Sequence, residues 1–144
     1  MQIKKLSEKA VIPTRGSEEA AGYDLYACFE EGNGIQIPPH ETVKVNTGIA
    51  IALPKGTFGG IYARSGLATK EGLRPANCCG IVDSDYRGPV IVALHNDSNE
   101  YRYVENEERI AQLIVQPYVS VDMEVVKELD ETQRGAGGFG SSGK

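Results

Sequence analysis

The chain has 144 residues, enough for one domain with a sizeable core. Its formal net charge of -5 excludes a broad electrostatic footprint for nucleic acid, so an anionic ligand would need local Arg clusters and a divalent cation. Gly at 17 and Pro at 7 mark many turns, and 3 Cys without regular spacing exclude a disulfide framework and read as reduced thiols.

In chain order, Gln2 to Leu6 reads as a first strand. No apolar h-region opens the chain and no run approaches membrane-spanning length. The expectation is a soluble protein without a secretion signal, cytoplasmic or nuclear. Pro13 to Ser17 is a turn-rich loop leading into Ala20 to Ala27, where Asp24 is one polar position in an otherwise apolar strand. Taken alone, Asp24 reads as an edge or turn residue. Ile35 to Ile37 is a short strand, Pro38 to His40 a break, and Thr42 to Leu53 a strand that passes from alternating to buried. Thr57 to Ala63 is the next strand, and the one helical candidate runs from about Ser65 to Lys70, closed by Gly72.

Arg64-Ser65-Gly66 has the chemistry of a phosphate site. A strand ends, Gly66 allows close backbone approach, a helix N-terminus offers unpaired N–H groups, Arg64 adds a bidentate charge and Ser65 a hydroxyl. An N-cap Ser beside a surface Arg is the plainer reading.

Asn77 to Gly88 reads as two β-prone halves joined by the acidic turn Asp83-Ser84-Asp85, with Pro89 to Val92 as the returning strand of a hairpin. Such a device holds a carboxylate, a phenol ring and free backbone groups in fixed relation, suited to a small planar ligand beside a water to be activated. A solvated turn without a ligand is the alternative. Cys78-Cys79 lacks a second Cys/His pair at ligand spacing, which argues against protein-ligated zinc.

Val90 to Leu94, Tyr101 to Val104, Arg109 to Val115 and Val119 to Val126 read as the remaining strands. Arg109 and Gln112 are three apart, so they face opposite sides of their strand unless a bulge intervenes. Short strands with frequent turn signals imply an all-β sandwich or barrel.

Beyond Asp130 the apolar pattern stops. Gly135 to Gly140 spells G-x-G-x-x-G, and Gly138 to Lys144 spells G-x-x-x-x-G-K. Both nucleotide motifs require a following helix, which is not expected here. Gly/Ser composition suggests a disordered polar tail. Phe139 and Arg134 amid flexible Gly suggest instead an arm that orders over a ligand.

Five stretches together resemble the five signatures of the trimeric dUTPase family. They are Ala21-Gly22-Tyr23-Asp24-Leu25, Ala63 to Ala68, Gly80 to Gly88 with its Asp-x-Asp-Tyr-Arg-Gly core, Glu108 to Leu113, and Arg134 to Lys144. Their order matches, and they extend over nearly the whole chain. Glu108 stands where Asp is more usual, and Ala136 where Glu is frequent.

The resemblance implies an all-β domain of β-clip, or distorted jelly-roll, type over residues 1–130, with a flexible Gly-rich arm over 131–144. It implies a homotrimer with active sites shared between subunits, and hydrolysis of dUTP to dUMP and pyrophosphate with Mg2+ on the triphosphate. Such an activity keeps uracil out of DNA and supplies dUMP for dTMP synthesis. No nucleic-acid or membrane partner is expected.

The resemblance also implies the site residues. Asp83 is the catalytic carboxylate, and Gln112 reaches the α-phosphate and water region. Arg64, Ser65, Gly66, Arg134, Ser141 and Ser142 bind phosphates. Asn77, Gly80, Ile81 and Val82 read uracil with Asp83 close by, Tyr86 lies against the deoxyribose, and Phe139 with Gly140 covers the base. Asp24 acts on the metal through water only. A dCTP deaminase of the same superfamily would need a Glu acid/base and lack the stacking Tyr. A non-catalytic β-sandwich interaction protein is the rival from another class.

Overall fold

Alternation decides which face each strand buries. Along Pro89–Asn96, the residues Val90, Val92, Leu94 and Asn96 point inward and Pro89, Ile91, Ala93 and His95 do not. The computed structural model describes residues 1–77 and 79–138. Its strands are β1 (Gln2–Lys5), β2 (Tyr23–Tyr26), β3 (Gly34–Ile37), β4 (Thr42–Ala52), β5 (Thr57–Tyr62), β6 (Leu73–Pro75), β7 (Gly80–Val82), β8 (Pro89–Asn96), β9 (Arg102–Glu105) and β10 (Arg109–Pro117).

Two four-stranded sheets run in the orders β1-β4-β8-β6 and β2-β10-β5-β7, with β3-β9 as a small third sheet, and every pairing is antiparallel. Leu25, Ile110, Ala111 and Leu113 from one large sheet meet Val45, Val90, Val92 and Leu94 from the other in a single core. Each buried Leu, Ile or Val among them contributes about 1.5–3 kcal/mol relative to exposure. This is the all-β antiparallel architecture expected above.

Two irregularities shape the sheets. In β4 the register shifts between Asn46 and Ala50, and Gly48 sits at φ 67. A Cβ there would come within 2.6 Å of Cys28 Sγ and 2.8 Å of Ala10 Cβ, so only glycine fits both the backbone and the space. In β10 the register shifts between Arg109 and Ala111, leaving Ile110 and Ala111 consecutively buried. The second irregularity bears on the site. Buried Asn96 ties the small sheet to the large one, its Nδ2 donating to Ile37, Pro38 and Glu100 carbonyls.

Three expectations need correction. β7 and β8 do not form a hairpin: β7 pairs with β5, and β8 pairs with β4 and β6. Residues 83–88 therefore carry the chain from one sheet to the other. The cause is tertiary: Gly80, Ile81 and Val82 pair with Ile61, Gly60 and Gly59 of β5, which burial of Gly80 and Val82 against the core favours over local pairing with β8. Val119 to Val126 forms no strand; ladder pairing ends at Pro117, and Val119, Val121, Met123 and Val125 are 86%, 74%, 96% and 99% exposed. An alternating sequence favours extended backbone, but a strand needs a partner edge. β6 was not anticipated, because Leu-Arg-Pro carries little β signal and its pairing with β8 is tertiary. The helical candidate is a single wide turn, Leu67–Glu71, ended by Gly72 at φ 71.

Candidate active site

The first of two clefts lies where β2, β10 and the loop after β5 converge. It holds about 450 Å³ and is lined by Gly22, Asp24, Arg64, Ser65, Gly66, Arg109 and Gln112 among others. Asp24 is largely buried, with 14% of its side chain exposed. Arg64 Nε donates to Asp24 Oδ1 at 3.0 Å, and Arg109 Nη1 donates to Oδ2 at 3.4 Å. Arg64 Nη1 also donates to the Arg109 carbonyl at 3.2 Å. One carboxylate thus holds two guanidinium groups side by side, leaving a surplus of positive charge in a protein of net charge -5.

The β10 bulge makes this possible. With regular alternation Arg109 and Gln112 would face opposite sides; the extra residue puts both in the same cleft. Gln112 Nε2 donates to the Ala63 carbonyl at 2.8 Å, bracing the start of the Arg64 loop. Gly22 leaves room for the Gln112 amide, since a Cβ there would lie 2.9 Å from Gln112 Oε1 and displace it. Ser65 makes no capping bond; the cap position falls on Gly66 and lacks a side-chain bond. The exposed Ser65 hydroxyl has no hydrogen-bond partner among the described residues.

The second cleft, about 230 Å³, is lined by Ile61, Asn77, Gly80, Ile81, Val82, Asp83, Tyr86 and the start of β8. Gly80 lets its walls close: a Cβ there would meet Ile61 Cβ at 3.2 Å and Asn77 Nδ2 at 3.3 Å. The inter-sheet turn is closed by Tyr86 N–H on the Asp83 carbonyl at 3.2 Å. Arg87 Nη1 donates to the Ser84 and Tyr86 carbonyls, both at 2.8 Å. Asp83 stands exposed in a cavity whose lining mixes aliphatic side chains with Asn77 and Tyr86.

All six base-side residues expected among the described positions, Asn77, Gly80, Ile81, Val82, Asp83 and Tyr86, meet in this cleft, joined by Ile61. Asp24, Arg64, Ser65, Gly66 and Gln112 meet in the other. The two sets of lining residues do not overlap. Arg134 lines neither, its Nε instead donating to the Gly137 carbonyl at 2.9 Å. Phe139, Gly140, Ser141, Ser142 and Cys78 lie outside the described residues.

Sequence reasoning missed Tyr62, Arg87 and Gly88. Tyr62 Oη donates to Gln116 Oε1 at 2.7 Å, and a hydrogen bond with Cys79, followed by desolvation, raises its phenol above the ordinary value. Its signal was weak, a lone aromatic at the end of a strand. Arg87 and Gly88 sat inside a recognised motif without a stated role.

Fold and clefts define an antiparallel-β domain with paired arginines on one carboxylate in the first cleft and an acidic turn beside a smaller second cleft. The family model for dUTPase matches residues 8–143, and the chain belongs to the dUTPase family. It is 47% identical over 142 residues to the deoxyuridine 5'-triphosphate nucleotidohydrolase of Arabidopsis thaliana, covering 99% of this chain and 82% of that protein. The corresponding protein of Nautilia profundicola is 44% identical, covering 100% of this chain and 99% of the relative. Among solved structures, a G164S mutant of the Staphylococcus bacteriophage 80alpha dUTPase with dUpNHpp superposes with a TM-score of 0.88 at 28% identity. That match covers 99% of this chain and 98% of the other.

Proposed function

We propose that this chain hydrolyses dUTP to dUMP and pyrophosphate in sites assembled between copies of itself. The observation that carries the reading is the split of one chemistry over two clefts. The Arg64–Asp24–Arg109 group suits a triphosphate, Asp83 and its mixed polar and apolar cavity suit a nucleoside, and the two share no wall. A homotrimer joins them, with the charged cleft from one copy, the Asp83 cleft from a second and the arm from a third. Supporting this, Val119, Val121, Met123 and Val125 are exposed in the single chain and alternate as a strand awaiting an edge.

In this reading Asp83 takes a proton from a water whose oxygen bonds to the α-phosphorus. The α–β bridging P–O bond breaks, and pyrophosphate departs with that oxygen. Arg64, Ser65 and Gly66 hold the phosphate oxygens, with Gln112 beside them, and Arg109 fixes Asp24. Backbone groups between Asn77 and Val82 read the uracil edge, and the Tyr86 ring leaves no room for a 2′-hydroxyl. Arg134, Phe139, Gly140, Ser141 and Ser142 belong to the arm that closes over base and phosphates.

The donor set fits a magnesium ion carried by the substrate. Among the described residues no cluster of three or more His, Cys, Asp or Glu could cage a metal. Asp24 uses one lone pair of each oxygen on an arginine and keeps another on each for a metal-bound water. When bound, the ion would neutralise charge on the triphosphate.

No helix among the described residues is long and apolar enough to cross a membrane. The deciding experiment is pyrophosphate release from dUTP, dCTP, dTTP and UTP with magnesium, alongside sedimentation. Efficient turnover of dUTP alone by a trimer is expected. Cleavage of dCTP or UTP within about tenfold of dUTP, or an active monomer, would overturn the reading.

A further inference from the structure

The Tyr86 ring is held against a residue that has no side chain. Gly88 lies outside the left-handed backbone region, so nothing in its conformation demands glycine. The space does. A Cβ at Gly88 would fall 2.6 Å from Tyr86 Cζ and 3.0 Å from Cε2, and closer still to Oη. Tyr86 Oη donates to the Pro89 carbonyl at 3.2 Å, fixing the far end of the ring just past Gly88. Arg87 Nη1 fixes the backbone of the turn by binding the Tyr86 and Ser84 carbonyls. The ring is thereby tethered at its hydroxyl and seated on a bare Cα, although Tyr86 is 44% exposed. Exposed aromatic rings otherwise reorient freely among rotamers.

We infer that Gly88 is a specificity-determining residue: its bare Cα, with the Pro89 carbonyl as tether, sets the position from which the Tyr86 ring excludes a ribose 2′-hydroxyl. The inference rests on the dUTP hydrolysis proposed above. Adding one methyl group at position 88 forces the ring off its seat, because the clash involves the ring carbons as well as the terminal oxygen. Asp83 lies five residues earlier, and the turn bond its carbonyl accepts comes from the Tyr86 backbone N–H and not from the ring, so the chemical step is left in place while the sugar boundary moves.

The test compares kcat/KM for dUTP and UTP in wild type, Gly88→Ala, Tyr86→Phe and the double variant. Wild-type preference for dUTP tests the functional reading by itself. Given that preference, Gly88→Ala lowers the dUTP/UTP ratio by about tenfold or more, equivalent to about 1.4 kcal/mol, and keeps kcat for dUTP within roughly threefold. Tyr86→Phe removes the atom nearest position 88 and the Pro89 tether. Alone it lowers the ratio less, and combined with Gly88→Ala it restores part of the loss. A Gly88→Ala ratio within about twofold of wild type overturns the inference. Should that variant fail to fold, an unchanged ratio in Tyr86→Phe overturns it, and a lowered ratio supports it.

Discussion

The cleft around Asp83 and the cleft around Asp24 are built over different distances in the chain. Apart from Ile61, the walls of the first come from one continuous stretch between Asn77 and Ile91. The second gathers residues from the loop before β2, from β2 itself, from the loop after β5 and from β10. A local cleft depends on turn chemistry, whereas a dispersed one depends on the register of whole strands. The difference teaches where function is vulnerable. Under the proposed function, changes in the first cleft would act on the reacting atoms and the nucleoside, and changes in the second on charge that only tertiary structure has collected.

The largest effect is expected at Asp83. Asp83→Asn keeps the shape and removes the proton acceptor, so turnover falls on the order of a hundredfold or more while KM for dUTP stays within roughly tenfold. Steady-state kinetics on the variant check this. Near-normal turnover would break the assignment of chemistry to the local cleft.

Arg64→Ala comes next and sharpens the contrast. It removes one of two guanidinium groups on Asp24, so KM for dUTP rises by about tenfold, with a smaller change in kcat. Binding of dUMP, which lacks two phosphates, changes little by calorimetry, and the KM effect shrinks as salt is added. Equal weakening of dUMP and dUTP would show that the two clefts do not divide the ligand as proposed.

The smallest effect is expected at Asp97, which lines neither cleft. Its carboxyl is held below the ordinary value of 3.8, first by the hydrogen bond from Arg74, with the charges of Arg74, His95 and His40 adding to this. A depressed carboxylate contributes stability that is fully present above its unfolded value and lost as pH falls through the lower folded one. Asp97→Asn should therefore lower Tm slightly at neutral pH, with the difference closing as pH falls below 3.8. Turnover of dUTP should be unaffected. A pH-independent Tm difference would mean that lost packing or hydrogen bonding, not ionisation, causes it.

Much of the fold was readable from local pattern. Thr42 to Leu53 shows where alternation gives way to burial, and the structure has β4 over Thr42–Ala52 with its bulge at Gly48. Local chemistry at Arg64 and Asp83, an arginine beside a glycine and an acidic turn, offered a phosphate site and a ligand site as readings, whereas Asp24 read alone as an edge residue and entered only through the family resemblance.

Sequence by itself thus determined the all-β class and most of the strand positions up to Pro117, because periodicity and turn chemistry act between near neighbours. Pairing lay beyond its reach. That β7 joins β5 and not β8, that Val119 to Val126 stays unpaired, and that Arg109 swings onto the face of Gln112 all depend on competition between distant edges. Such contacts are chosen by the packing of the whole core. Tertiary structure alone decided that one carboxylate would bind two arginines, and that the Tyr86 ring would rest on Gly88.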